Sequence, residues 1–290
     1  MHIAVIGTGA MGAGIAYVAA ARGQHVSVFD FAPAAQEAGL ARITADLDEG
    51  VRRGKLDAAG REAALRRVRP AAGLADCVAG ADLVVEAVVE DPAVKQDVLR
   101  QVEAAAPPGA VIASNTSALS ITNLMSALAD PARGIGMHFF NPVRAMPLCE
   151  IVVGLETGSA TIDRAEQAAA LLGKQTVQVR DLAGFVTSRI NIVIGNEAFL
   201  MLEQGVASAE GIDRATRLAL NHPMGPFQLV DLVGLDVRLA ATRELHRVLG
   251  DKYRPAPLLE QYVSAGRLGR KTGRGVYTYD SPNDGAAATS

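Results

Sequence analysis

The chain has 290 residues, of which 49% are hydrophobic and 20% are charged, and its formal net charge at pH 7 is −3. This length allows one large domain or two ordinary ones, and the composition is typical of a globular protein. The small negative charge argues against general nucleic-acid binding, and the sequence has no run of eighteen apolar residues that would suggest a membrane span.

The N-terminus and the cysteine content both indicate a location in the cytoplasm. The first residues enter an apolar strand pattern without the basic region of a secretory signal. Two cysteines, Cys77 and Cys149, are too few for a disulfide framework and fit a reducing compartment. We therefore expect a cytoplasmic protein with both thiols free.

The first thirty residues predict a βαβ unit with a glycine turn. "HIAVIG" and "HVSVFD" are apolar and β-branched, and "AGIAYVAAARG" between them has a helical composition. Gly7, Gly9 and Gly12 follow the first strand and open the helix, in a pattern that lets the backbone approach a pyrophosphate. Asp30 closes the second strand, where a carboxylate binds an adenosine ribose and repels a 2′-phosphate. This arrangement predicts NAD as the cofactor; the alternative is a turn that serves packing alone.

The rest of the first half alternates between helix and strand. The composition from Ala34 to Val68 predicts two helices broken near Gly54, with Asp57 as a cap for the second. Strand-like runs then recur at "DLVVEAVVE", "AVIASNTS", "GIGMHFF", "CEIVVG" and "TVQVRD", separated by helical stretches. Such alternation predicts a mainly parallel sheet.

After Asp181 helical periodicity dominates until "GVYTY", the one later run that resembles a strand. We therefore predict an α/β chain: a Rossmann-type domain with a mainly parallel sheet in residues 1–182, followed by an all-helical C-terminal domain in residues 183–280. Residues 281–290, "SPNDGAAATS", are expected to be a disordered tail.

The stretch "MHFFNPVRAMPLCEIVVG" places His138 twelve residues before Glu150. Asn141-Pro142 and Pro147 predict a chain reversal between them, centred on Arg144. A reversal there would lay the two side chains together, which is the geometry in which a carboxylate holds an imidazole in one tautomer. The alternative is a core histidine with no chemical role. Cys149 would point to the opposite face from Glu150, and we expect it to be buried.

Several motifs together resemble the L-3-hydroxyacyl-CoA dehydrogenase family. They are the glycine turn, "VEAVVEDPAVK", "SNTS", "HFFNP", "NHPMGPFQLVDLVGLD" and "GRLGRKTGRGVY", and they span nearly the whole chain. The resemblance implies a nucleotide-binding domain followed by a helical domain that completes the active site and forms a homodimer. It also implies reversible, NAD-dependent oxidation of a short-chain (S)-3-hydroxyacyl-CoA, with 3-hydroxybutyryl-CoA as the expected substrate and no catalytic metal.

The same resemblance implies roles for individual residues. His138 is the acid/base, Glu150 stabilises its imidazolium form, and Ser117 binds the substrate oxygen beside the nicotinamide. Further positions on the cofactor side are Glu90, Lys95, Asn141 and Lys271. Each also has a structural alternative: a helix cap for Ser117, a solvated helix face for Lys95, a turn preference for Asn141 and a glycine-rich surface loop for Lys271.

Two further sites rest on the resemblance. Where many family members carry asparagine in "GF-x-x-NR", this chain reads "GFVTSR", so the role passes to Ser188, with Asn191 one helical turn later as a possible substitute. The resemblance places coenzyme A contacts near "RRGK", which makes Arg52, Arg53 and Lys55 candidates for binding its phosphates. A solvated basic run is the alternative.

Two other functions remain open at this point. Relatives that oxidise free sugar acids such as L-gulonate share the His-Glu pair, and lens lambda-crystallins resemble the same family without a catalytic role. Assays with thioesters and with free hydroxy acids would separate these possibilities.

Overall fold

The computed structural model describes residues 1–280, and the chain forms two compact units. The first unit is Met1–Leu182, and the second begins at Ala183. The stretch expected to be a tail, residues 281–290, lies outside the described residues. No helix in the described part is long and apolar enough to cross a membrane.

The first unit contains one eight-stranded sheet with the order β3-β2-β1-β4-β5-β6-β7-β8. Every neighbouring pair is parallel except β6 and β7, which are antiparallel. This confirms the predicted Rossmann-type, mainly parallel sheet. The strands are β1 (His2–Ile6), β2 (His25–Phe29), β3 (Val68–Pro70), β4 (Leu83–Glu86), β5 (Val111–Ser114), β6 (Gly134–Phe139), β7 (Leu148–Val153) and β8 (Gln175–Arg180).

Helices cover the sheet, so its central strands are buried on both faces. All residues of β4, β5 and β6 are buried, which is why these strands read as continuous apolar runs rather than alternating ones. The helices are α1 (Ala10–Ala21), α2 (Pro33–Arg52), α3 (Ala58–Arg67), α4 (Leu74–Val78), α5 (Pro92–Ala105), α6 (Ile121–Met125) and α7 (Ser159–Leu171).

The predicted break after α2 is present. Gly54 has a φ of +66°, a conformation that L side chains rarely adopt, and it lies just beyond the end of α2. The carboxylate of Asp57 accepts a hydrogen bond of 2.6 Å from the Gly60 amide at the start of α3. The predicted cap is therefore confirmed.

The second unit is helical, as predicted. Its core is formed by apolar faces of several helices and includes Phe199 and Phe227, whose rings meet edge to face with centroids 5.1 Å apart. The helices are α8 (Thr187–Glu203), α9 (Ala209–Leu220), α10 (Pro226–Val233), α11 (Leu235–Leu249) and α12 (Pro257–Ser264).

The segment "GVYTY" does not form a strand; it makes only an isolated bridge between Arg274 and Thr278. Two of its backbone amides donate to a side chain instead. The buried carboxylate of Asp231 accepts hydrogen bonds from the amides of Val276 at 2.8 Å and Tyr277 at 2.9 Å. The run that resembles a strand in the sequence therefore has no partner strand, because the Asp231 carboxylate of α10 accepts the hydrogen bonds of two of its amides.

Candidate active site

The antiparallel pairing of β6 with β7 places His138 directly opposite Glu150. Nδ1 of the imidazole lies 2.7 Å from Oε2 of the carboxylate, and the two side chains are 8% and 1% exposed. The chain reversal predicted from the spacing and the prolines is therefore confirmed. Of the two tautomers of a neutral imidazole, a carboxylate at this distance selects the one with the proton on Nδ1 and the lone pair on Nε2.

A lysine binds backbone carbonyls of the turn between β6 and β7. Lys174, just before β8, is largely buried, and its ammonium donates hydrogen bonds to the carbonyls of Val143 at 2.5 Å and Met146 at 2.7 Å. Burial lowers the pKa of Lys174 from its ordinary value. Sequence reasoning missed this residue, whose carbonyl partners lie far away in the chain.

Asn141, near the start of that turn, is exposed, and the peptide bond that joins it to Pro142 is cis. At the tip of the turn, Nε of Arg144 lies 3.2 Å from a carboxylate oxygen of Asp46 in α2. Exposure is compatible with both readings of Asn141, as a turn residue and as a cofactor contact.

Cys149 and Cys77 are free thiols, and both are buried. Burial raises the pKa of Cys77 to about 12 and raises that of Cys149 as well. Cys149 belongs to the apolar core of the first unit, as expected from its position beside Glu150 on a strand.

Ser117 is exposed in the loop between β5 and α6. Hydrogen bonds to carboxylates hold this loop at both ends. At one end the Ser117 amide donates a hydrogen bond of 3.0 Å to Oε1 of Glu90. At the other end Asp181 accepts hydrogen bonds from the amides of Ile121 at 2.9 Å and Thr122 at 2.7 Å.

The helix-cap alternative for Ser117 is wrong. Ser120 is the residue that caps α6, where its hydroxyl oxygen accepts a hydrogen bond of 3.2 Å from the amide of Asn123. Capping therefore does not explain the serine at position 117.

Lys95 is fully buried, so the solvated-face alternative for this residue is also wrong. Its ammonium lies 2.7 Å from Oε1 of Glu86 and 3.3 Å from Oε2 of Glu90. Sequence reasoning missed Glu86, the last residue of β4, although a carboxylate that ends an otherwise apolar strand was an available signal.

The glycine turn between β1 and α1 has the space and the backbone that a dinucleotide needs. Gly7 has a φ of +92°, and a Cβ there would lie 2.6 Å from the carbonyl oxygen of Ala87. A Cβ at Gly12 would collide with the carbonyl of Gly7, whereas a Cβ at Gly9 would meet no atom within 4 Å. Gly7 and Gly12 thus allow close packing and Gly9 faces open space, as in a phosphate-binding turn.

Asp30 lies beside this turn at the end of β2. Its Oδ2 accepts a hydrogen bond of 2.8 Å from the amide of Thr8, and its Oδ1 accepts one of 3.1 Å from the amide of Ala32. Phe31 next to it is 51% exposed and brings no positive charge. These residues fit NAD, because the acidic group beside the turn suits a free 2′-hydroxyl.

Two basic residues at the end of α2 form ion pairs with the same carboxylate. Arg52 and Arg53 both form ion pairs with Glu49, and these contacts lower the pKa of the Glu49 carboxyl. Lys55 is exposed in the turn that follows. The three cations are therefore close together at the surface, with part of their charge already balanced.

The three candidates of the second unit have different environments. Ser188 and Asn191 are half-buried in the first turns of α8. Nζ of Lys271 lies 2.6 Å from both carboxylate oxygens of Asp236. Lys271 is thus held in an ion pair rather than being a freely solvated loop lysine.

The comparisons with known proteins agree with this arrangement. Residues 2–182 match the family model described as the NAD-binding domain of 3-hydroxyacyl-CoA dehydrogenase, and residues 184–279 match the model of its C-terminal domain. The chain belongs to the 3-hydroxyacyl-CoA dehydrogenase family.

The similarity to relatives in this family extends over nearly the full length of the chain. It is 42% identical to a probable 3-hydroxybutyryl-CoA dehydrogenase of Bacillus subtilis, over 96% of this chain and 97% of that protein. It is also 42% identical to the 3-hydroxybutyryl-CoA dehydrogenase of Bradyrhizobium diazoefficiens, over 96% and 94% of the two chains. The crystal structure of (S)-3-hydroxybutyryl-CoA dehydrogenase from Ralstonia eutropha superimposes with a TM-score of 0.93 at 41% identity, covering 97% of this chain and 99% of that one.

Proposed function

We propose that this protein is an NAD-dependent dehydrogenase that interconverts short-chain (S)-3-hydroxyacyl-CoA and 3-ketoacyl-CoA, with 3-hydroxybutyryl-CoA as its substrate. The observation that carries the proposal is the buried His138–Glu150 pair, with 2.7 Å between Nδ1 and Oε2, in the same unit as a glycine turn that fits NAD. The names of the relatives support the choice of substrate.

The pair supplies the proton chemistry of an alcohol oxidation. Nε2 of neutral His138 accepts the proton of the 3-hydroxyl group, and the ionised carboxylate of Glu150 stabilises the imidazolium that forms. NAD, when bound, supplies the acceptor for the hydride of C3. In the reverse direction the imidazolium returns its proton to the ketone oxygen.

Other residues bind and orient the reactants. We propose that the exposed hydroxyl of Ser117 donates a hydrogen bond to the substrate oxygen and that Arg52, Arg53 and Lys55 contact phosphates of coenzyme A. Asn141 is assigned to the nicotinamide side. In the second unit, Ser188 takes the role of the family asparagine, with Asn191 as its substitute, and Lys271 acts on the cofactor side.

A homodimer in the cytoplasm is the proposed state of the protein. Ile190, Leu232 and Val237 of the second unit are large apolar residues that are 48% to 56% exposed, and a second copy would remove such surface from water. Two free thiols are consistent with a reducing compartment.

The decisive experiment is a substrate panel in the reductive direction. Purified protein is mixed with NADH or NADPH and either acetoacetyl-CoA, longer 3-ketoacyl-CoA thioesters or 3-keto acids without coenzyme A. We expect NADH oxidation with acetoacetyl-CoA and much slower turnover with NADPH. Activity on a free keto acid alone would favour the sugar-acid alternative, and no turnover with any substrate would favour the non-catalytic one.

A further inference from the structure

The carboxylate of Asp30 is held by donors from the glycine turn and from the loop after β2. Its Oδ2 accepts hydrogen bonds from the amide of Thr8 at 2.8 Å and from the hydroxyl of Thr8 at 3.1 Å. Its Oδ1 accepts one from the amide of Ala32 at 3.1 Å. An ionised carboxylate has about four lone pairs, so the capacity that remains for a ligand is on Oδ1.

Thr8 lies between two glycines of the turn, and its side chain is buried. The residue is 2% exposed, and its hydroxyl oxygen is 3.1 Å from Oδ2 of Asp30 and 2.9 Å from the carbonyl oxygen of Ala35. A hydroxyl has one proton, and the charged carboxylate is the stronger acceptor of the two. Thr8 therefore links the carboxylate of Asp30 with the first turn of α2.

Thr8 fits at this place because the facing residue of α2 is a glycine. A Cβ at Gly39 would lie 2.5 Å from the Cβ of Thr8 and 2.8 Å from its hydroxyl oxygen. Gly39 is inside the helix and does not have a positive φ, and a glycine in a helix is destabilising relative to alanine. The close approach of Thr8, and not the backbone conformation, accounts for the glycine.

Gln36 holds the backbone of Asp30. Its Oε1 accepts a hydrogen bond of 3.0 Å from the Asp30 amide, and its Nε2 donates one of 3.1 Å to the carbonyl of Ala71, which follows β3. One amide side chain thus connects the end of β2 with the segment after β3. Without it, the amide of Asp30 would lose its acceptor.

A carboxylate in a fixed orientation discriminates between NAD and NADP more sharply than a mobile one. NADP carries a phosphate on the 2′-oxygen of the adenosine ribose, and a negative charge close to that phosphate repels it. A side chain that is free to rotate would turn away from the phosphate, and it would also lose its hydrogen bond to a 2′-hydroxyl. Donors that hold Asp30 before a ligand arrives therefore lower the ordering cost of binding NAD and keep the repulsion of NADP.

We propose that Thr8 and Gln36 are positioning residues for cofactor selectivity: together they hold Asp30 so that its carboxylate stays at the 2′-position of the adenosine ribose, with Oδ1 as the oxygen that accepts from the ribose. This inference rests on the proposed use of NAD and on the role of Asp30 in it. It assigns a role in selectivity to two residues that carry no charge, and it does not depend on which acyl substrate the enzyme takes.

The test measures the dissociation constants of NADH and NADPH by fluorescence, so it needs no turnover. Valine keeps the shape of threonine but lacks the hydroxyl, so Thr8→Val should weaken NADH binding by about three- to tenfold. Its NADPH binding should stay within about twofold, and the ratio of the NADPH to the NADH dissociation constant should therefore fall by about threefold or more. Gln36→Leu should lower this ratio in the same way. Thr8→Ser keeps the hydroxyl and should retain the wild-type ratio within about twofold.

Coupling to Asp30 separates positioning from general damage to the glycine turn. In the Asp30→Ser background, Thr8→Val and Gln36→Leu should change the ratio by less than about twofold, because the carboxylate that they orient is absent. Equal changes in both backgrounds would overturn the proposal. A loss of affinity for both cofactors with an unchanged ratio in Thr8→Val would overturn it as well.

Asp30→Ser alone tests the premise. If this variant has the wild-type ratio, Asp30 does not select the cofactor, and its proposed role fails together with this inference. If Asp30→Ser lowers the ratio while Thr8→Val and Gln36→Leu both keep it, the role of Asp30 stands and only the inference is overturned.

Thr161→Val is the matched control. Thr161 is also a buried threonine whose hydroxyl donates to a backbone carbonyl, that of Ala132 at 2.7 Å, but it lies in the first turn of α7. We expect this variant to keep both dissociation constants within about twofold even if its melting temperature falls. A ratio that falls as in Thr8→Val would mean that the loss of any buried hydroxyl has this effect, and the proposal would be overturned.

Gly39→Ala keeps the test valid if Thr8→Val or Gln36→Leu does not fold. The added methyl group would lie 2.5 Å from the Cβ of Thr8, so Thr8 must move although both of its polar groups and those of Gln36 are retained. The ratio should therefore fall in this variant too. A folded Gly39→Ala protein with the wild-type ratio would overturn the positioning role.

Discussion

His138 and Glu150 face each other across an antiparallel strand pair, with Nδ1 of the imidazole 2.7 Å from Oε2 of the carboxylate. If the two act as one unit, His138→Gln should lower kcat by about 10²- to 10⁴-fold with little change in NADH binding. Glu150→Gln keeps the shape but removes the charge that stabilises the imidazolium, so its loss should also appear in kcat.

The double variant is the sharper measurement. Because both residues serve one proton transfer, His138→Gln with Glu150→Gln should be little slower than His138→Gln alone. Losses that multiply, or a His138→Gln enzyme with nearly normal turnover, would reduce the pair to a structural contact.

Cofactor choice should depend on Asp30 and on the residue after it. Replacing Asp30 by Ser and Phe31 by Arg removes the group that repels a 2′-phosphate and adds one that attracts it. We expect the ratio of kcat/KM for NADPH to that for NADH to rise by at least about tenfold, with some loss of overall activity because Asp30 also holds the Thr8 amide. Steady-state kinetics with both cofactors measure the ratio, and an unchanged ratio would contradict the role of Asp30.

The basic end of α2 allows a test in which removing a carboxylate improves binding. Glu49 pairs with both Arg52 and Arg53, so Glu49→Gln should release both guanidinium groups and lower KM for acetoacetyl-CoA by roughly two- to fivefold at low salt. Arg52→Ala and Lys55→Ala should raise the same KM while kcat stays constant. The exposed Glu156, replaced by Gln, removes the same charge elsewhere and controls for net charge. A KM that is insensitive to all of these changes would show that coenzyme A binds at another surface.

Lys174 should affect both stability and pH dependence. Lys174→Met removes two hydrogen bonds to the turn carbonyls and should lower the free energy of unfolding by about 1–3 kcal/mol. Because burial lowers the pKa of Lys174, the folded protein releases this proton at lower pH than the unfolded chain does. The wild type should therefore gain stability relative to Lys174→Met as the pH rises from the lowered pKa towards the ordinary value of 10.5. Denaturant titrations at several pH values measure the difference, and an opposite slope would contradict this account of the lysine.

The parts of the fold with strong local signals could be predicted from the sequence. β1, α1 and β2 were readable because strand and helix periodicities are separated by glycines, and the contact of His138 with Glu150 followed from an even spacing around a proline-bounded turn. β3 and α4 could not be predicted because they have only three and five residues, too few for a periodic pattern.

The supports of the site could not be predicted in the same way. Lys95 is near the start of an amphipathic helix and looks solvated until Glu86, at the end of the preceding strand, is seen to approach within 2.7 Å. The partners of Lys174 are backbone carbonyls about thirty residues away. Such pairings depend on tertiary packing, which no local window of sequence contains.

The antiparallel pairing of β6 with β7 also makes the site depend on one strand register. Successive residues of a strand face opposite sides, so a shift of one residue in this register would bring Cys149 or Ile151 opposite His138 and turn Glu150 towards the apolar layer. A shift of two residues would keep Glu150 on the face of His138 but would move it about 7 Å along the strand. Only the present register places the carboxylate opposite the imidazole.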